Sequence, residues 1–189
     1  VVHDKPMHLI VARRDLSGYQ HLHPEMDPDG TWRLPLVLPE PGVWRVYADF
    51  TALDSGNGQH PVTLGIDLVA AGAYTPRALP APAREASVAD LTVTYEGTPQ
   101  VGATAPLLFR VFAGGEPVRT LQPYLGAYGH LVALREGDLG YLHVHPEPEL
   151  VGGAVKFWLA VPSPGRYRLY FDFQLDGRVH TAEFTLLVP

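Results

Sequence analysis

The chain has no cysteine among its 189 residues, so disulfides and thiolate metal sites are both excluded. Any bound metal must be held by nitrogen, oxygen or the thioether of one of two methionines. No run of eighteen or more apolar residues is present, which gives no candidate for a membrane-spanning helix. Basic residues are too few and too scattered to form a patch: 14 Lys and Arg stand against 20 Asp and Glu, a net charge of -6. That balance argues against nucleic acid or an anionic membrane surface as a partner. A Gly-x-Ser-x-Gly elbow and phosphate-binding glycine loops are also missing, so neither nucleophilic acyl transfer nor nucleotide chemistry has support. A signal-peptide pattern is absent too; the chain opens at Val1, as expected if such a segment had been removed.

What is present is a stretch written twice. His8, Leu9, Arg13, Gly18, Tyr19, His21, His23, Pro24 and Glu25 recur as His130, Leu131, Arg135, Gly140, Tyr141, His143, His145, Pro146 and Glu147, at a constant offset of 122. A second block repeats Pro39, Pro41, Gly42, Arg45, Tyr47, Asp49 and Phe50 as Pro162, Pro164, Gly165, Arg168, Tyr170, Asp172 and Phe173, at an offset of 123. The chain is therefore an internal duplication.

Proline and glycine, 19 of each, punctuate short segments of alternating character, which reads as an all-β sandwich or barrel. In residues 43–50, Trp44, Val46, Ala48 and Phe50 share one face of a strand, and Arg45, Tyr47 and Asp49 the other. The polar stripe reads as a solvated face of ion pairs; the alternative is that it flanks the histidines. Residues 74–87 carry Pro76, Pro80 and Pro82 without periodicity and read as a linker, which places a first repeat at 1–73 and a second at 88–189. Strand-like runs at 91–95 and 106–112 precede the second histidine block, whereas only seven residues precede His8. The first repeat therefore lacks the equivalents of the initial strands. The chain is then a fragment of a longer precursor, a protein that borrows strands from a partner, or a minimal variant, and the first is the expectation.

The histidines are the functional lead. In extended chain His21 and His23 project from one face, as do His143 and His145. The residues between His8 and His21 read as a strand and a short turn ending at Gly18, a β-hairpin that brings His8 opposite His21 or His23. The metal-ligand candidates are thus His8, His21 and His23 in one copy and His130, His143 and His145 in the other. Three imidazoles with an open fourth position suit zinc, copper or ferrous iron. His8 shares its face with Ile10 and Ala12, so the cluster should be partly buried. Asp49 and Asp172, or Glu25 and Glu147, are candidate outer acceptors; His60 and His180 are candidate fourth ligands. Met26 could add a thioether but is Pro148 in the second copy, and Met7 points to the wrong face. Val1, Val2 and His3 form an amino-terminal Cu(II)-chelating pattern, an artefact if the chain is a fragment. A cluster held together by hydrogen bonds alone, in a metal-free structural or interaction module, is the competing reading.

Lys5-Pro6-Met7-His8-Leu9-Ile10, Tyr19-Gln20-His21-Leu22-His23-Pro24 and residues 41–50, with residues 124–130 and 143–146 of the second copy, resemble bacterial secreted or membrane-tethered domains of the YtkA-like type. The resemblance implies two tandem immunoglobulin-like β-sandwich repeats outside the cytoplasm, the first lacking its initial strands. It further implies a copper role, and the expected function is a non-enzymatic copper-handling protein, with zinc as the alternative metal and a protein partner in metal transfer. A cupin-like metal enzyme is the alternative, since cupins also carry His-x-His on a β-scaffold. However, they place a glutamate four residues after the second histidine, where Glu25 and Glu147 here follow by two.

Overall fold

In a computed structural model, which describes residues 5–189 with the side chains of His143 and His145 excepted, the chain is all-β. Among the described residues no helix is long and apolar enough to cross a membrane. The chain divides into two compact units, Val1–Ala78 and Leu79–Pro189, within the proline-rich stretch. That stretch is not a free linker throughout: the Arg77 amide donates to Asp15 in the first unit, and Glu85–Val88 is a strand of the second.

The first unit contains β1 (Met7–Arg13), β2 (Gln20–Leu22), β3 (Glu25–Met26), β4 (Trp32–Arg33), β5 (Gly42–Leu53) and β6 (Gln59–Ala70). Four of these form an antiparallel sheet in the order β2-β1-β5-β6, and β3 and β4 pair separately. Val11, Trp44 and Val46 make a small core on one face, with Leu36 and Leu38 packed against it.

The second unit contains β7 (Glu85–Val88), β8 (Leu91–Glu96), β9 (Thr104–Ala113), β10 (Glu116–Pro117), β11 (His130–Arg135), β12 (Tyr141–His143), β13 (His145–Pro146), β14 (Val155–Ala160), β15 (Gly165–Leu175) and β16 (Arg178–Val188). Its sheet β12-β11-β15-β16 repeats the order of the first unit's sheet. Against it lies a second sheet, β13-β14-β9-β8-β7, with β10 on β9. The two runs expected at 91–95 and 106–112 are β8 and β9 of this layer.

Alternation along β8, β9 and β14 sends apolar side chains between the two layers, the defining packing of a sandwich. Phe109 stacks on Phe171 with ring centroids 4.6 Å apart, and Phe184 meets Tyr95 edge-on at 5.3 Å. β15 and β16 are joined by two residues, Asp176 and Gly177, with φ of 50° and 73° between the paired residues Leu175 and Arg178. Positive φ at both central positions is the type I′ geometry that matches strand twist, and Asp-Gly is among its preferred sequences.

At the β1–β2 turn the buried Arg13 guanidinium binds Asp15 at 2.8 Å and Glu40 at 2.7 Å, and its Nε reaches Ser17. Leu16 follows in the left-handed region at φ 64° and is buried, and Gly18 sits where a Cβ would come within 2.5 Å of the Trp44 ring. Burial pushes the Asp15 carboxyl up, but the bonds from Arg13, the Arg77 amide and Ser17 outweigh it and hold the group at about 2. A carboxyl depressed in the folded state stabilises fully above its ordinary value near 4, and that contribution is lost as pH falls through about 2. Asp15→Asn should lower stability at pH 7 by about 1–2 kcal/mol and lose less between pH 4 and pH 2 than the parent. Denaturation followed by tryptophan fluorescence at each pH checks this; an unchanged pH profile would refute it.

Candidate metal centre

The β1–β2 register decides how the histidines meet. Leu9 pairs with Leu22 and Ile10 with His21, so the same register continued by one residue sets His23 opposite His8. Residues two apart in a strand share a face, which brings His21 and His23 together on the side carrying His8. The Nδ1 atom of His8 lies 2.8 Å from Nε2 of His21 and 3.3 Å from Nε2 of His23. The three rings have centroids 4.8–5.1 Å apart, and their ligand nitrogens all lie within 4.8 Å of one another. His8 is buried and the other two are half-buried, so the cluster has an apolar floor of Ile10 and Ala12 and a side open to water.

The residues fit a metal ion. Ligands at about 2.0–2.1 Å in a tetrahedral arrangement have nitrogens about 3.3–3.5 Å apart, so the His8–His23 separation already matches, the His8–His21 one need open by only about half an ångström, and the third lies within 4.8 Å. Neutral imidazoles supply a set suited to zinc, copper or iron, with a fourth position left for water or an incoming ligand. His8, His21 and His23 are the one such group among the described residues.

Asp49 pairs with His8 across β1 and β5, and Asp172 pairs with His130 in the second unit. Both carboxylates are buried, and each accepts a hydroxyl from the neighbouring strand, Thr63 at 3.2 Å and Thr181 at 2.5 Å. Tyr47 and Tyr170 are buried as well. In the first unit the buried Tyr47 and Asp49 of the polar stripe thus flank the histidine cluster rather than face solvent, while Arg45 and its counterpart Arg168 form ion pairs toward the neighbouring strand, with Asp67 and Glu183.

In the second unit His143 pairs with Val132, the same register that sets His21 opposite Ile10. Its side chain and that of His145 lie outside the described residues. His130 is buried, and its Nε2 donates to the Tyr124 carbonyl at 2.8 Å. The proton on Nε2 leaves Nδ1 as the ligating nitrogen, the same atom that His8 presents to its partners.

Other candidates fall elsewhere. His60, exposed at the start of β6, binds Asp54 of the β5–β6 loop at 2.8 Å, and His180 stacks on Phe173. Glu147 takes the Trp158 indole N–H at 2.6 Å; Glu25 and Met26 are exposed on β3. Met7 is buried and projects from β1 opposite to His8. His3 lies outside the described residues.

Sequence reasoning missed the carboxylates that brace each histidine hairpin. Arg135 binds Asp138 as Arg13 binds Asp15, and Leu139, at φ 59° and buried, stands where Leu16 does. Asp138 is held at about 2, chiefly by its bond to Arg135. The matching Asp-Leu dipeptides are one position out of step with the ungapped repeat and could be found only by allowing a compensated shift inside the turn.

Fold and cluster together define an all-β protein with a histidine triad fit for a metal ion on one of its sheets. The family described as Domain of unknown function (DUF8832) matches residues 86–189, more than half of the chain, and the chain belongs to that family. No curated protein matches it.

Proposed function

We propose that the chain is a non-enzymatic copper-handling protein that works outside the cytoplasm, with one three-histidine site in each repeat, and that it buffers copper or passes it to a protein partner. The convergence of His8, His21 and His23 nitrogens beside a buried carboxylate is the observation that carries this reading. An all-imidazole set favours copper or zinc over magnesium or calcium, and a half-buried, water-facing cluster suits an ion that must leave again. Copper rather than zinc, and a place outside the cytoplasm, rest on the resemblance of the histidine blocks to YtkA-like domains.

The test is a competition titration of the purified chain with Cu(I), Cu(II) and Zn(II) against chelators of graded affinity, with metal counted by elemental analysis. Two copper ions per chain, held against an excess of zinc and released to a stronger chelator, are expected. Preferential zinc binding would overturn the copper assignment, and no binding of any of the three would return the cluster to a structural role.

A further inference from the structure

The two units share a sheet but not what covers it. Leu64 and Ile66 of β6 are 59% and 61% exposed, whereas their counterparts on β16, Ala182 and Phe184, are each 1% exposed. The correspondence is fixed by register: Ala48 pairs with Leu64 and Val46 with Ile66, as Phe171 pairs with Ala182 and Leu169 with Phe184. Ala48 and Phe50 are likewise only half-buried, while Phe171 and Phe173 are fully enclosed. In the second unit the cover is the β8–β9 layer, whose Tyr95 and Phe109 rest on Phe184 and Phe171.

The edge to which such a layer would attach is also present. Leu34, Leu36 and Leu38 align with Phe157, Leu159 and Val161 on and just after β14, and they alternate half-buried with exposed neighbours as a strand does. β14 pairs with β9 along its length, but among the described residues no strand pairs with residues 34–38. The peptide groups of one strand alternate between its two sides. The Lys156 carbonyl accepts from Glu147, which turns even-numbered residues of β14 toward β13 and odd-numbered ones toward β9. Carried to the first unit, Pro35, Val37 and Pro39 face away from the open edge, in keeping with the bond from Gln20 to the Val37 carbonyl at 3.0 Å. The prolines therefore remove no donor from the edge that matters, and Leu34 and Leu36 present theirs to it.

We propose that this face and edge form a docking site for an antiparallel β-hairpin of the β8–β9 kind, paired to residues 34–38 and carrying alternate large apolar side chains over Ala48, Leu64 and Ile66. The mode is β-augmentation, in which main-chain bonds supply affinity and alternate side chains supply selectivity. Ala48 and Ile66 are smaller than Phe171 and Phe184, so the hairpin fills the difference with aromatic residues. The face is the repeat equivalent of the one that the second unit covers with its own β8–β9 layer, and an exposed apolar surface beside an unpaired edge is a liability unless covered.

The probe is a fluorescent synthetic peptide of residues 90–114, titrated into the full chain, with static light scattering of the chain alone across a hundredfold concentration range. Saturable binding in the micromolar range by a monomeric chain is expected. It should weaken at least tenfold in Ile66→Lys, an exposed position whose folding is checked by circular dichroism, and in a peptide carrying Phe109→Asp. Three outcomes overturn the proposal: no saturable binding, binding indifferent to Ile66→Lys, or a dimer of the chain that Ile66→Lys dissolves, which would make a second copy the occupant.

Discussion

Replacing His21 and His23 together with alanine should remove metal from the first unit and lower its affinity at least a hundredfold, while the second unit keeps its ion. One nitrogen of the triad comes from β1, one from β2 and the third from His23, the residue that follows β2, a short segment that carries little else. Both rings are half-buried, so truncating them leaves no large cavity, and stability should fall by no more than about 1 kcal/mol. His143→Ala with His145→Ala should do the same in the second unit, and the four-fold variant should bind nothing above background. Elemental analysis after equilibrium dialysis reads each step. Undiminished stoichiometry in the four-fold variant would refute the histidine assignment outright. Because an imidazole must be neutral to bind, affinity in the parent should fall as the solution is made acidic, with protons released on loading.

Phe184→Ala should destabilise the second unit by about 3–5 kcal/mol, while Ile66→Ala, at the equivalent position of the first unit, should change stability by less than about 0.5 kcal/mol. The Phe184 ring touches Tyr95 and Phe109 and leaves a void when removed, because the layers around it cannot collapse without moving two sheets. Ile66 faces water on one side, so the same truncation returns little surface to solvent. Hydrogen exchange resolved by unit, with and without denaturant, separates the two effects. A comparable loss at both positions would mean that the first unit's face is covered in solution.

The hairpin that gathers the histidines was legible because period two and the distance between His8 and His21 leave few registers, and the observed one is among them. Burial of His8 followed from Ile10 and Ala12 on its face. The polar stripe was harder: Arg45, Tyr47 and Asp49 alternate like an exposed edge, and only tertiary packing makes Asp49 and Tyr47 interior. Residues 34–38 alternate as cleanly as β14, yet they form no ladder, since a strand needs a neighbour and pattern supplies only one half of the pair. The Glu85–Val88 strand was hidden for the opposite reason. Its four residues follow a proline-rich run with no period of their own, and they become a strand by pairing with β8. Asp176-Gly177 carried an open hairpin signal, and with it the exact end of β15 could have been drawn from the sequence.

That same two-residue turn sets an order of events for the second unit. Eleven residue pairs join β15 to β16 across a loop of two residues, so this ribbon closes at little cost in loop entropy. Hairpins of this kind form in about 1–10 μs, whereas the pairing of β11 with β15 must bring together residues such as His130 and Asp172, more than forty positions apart. By this ordering β11 pairs with β15 after the ribbon has closed, and a metal ion held by the proposed site of the second unit would act on a step later than ribbon closure.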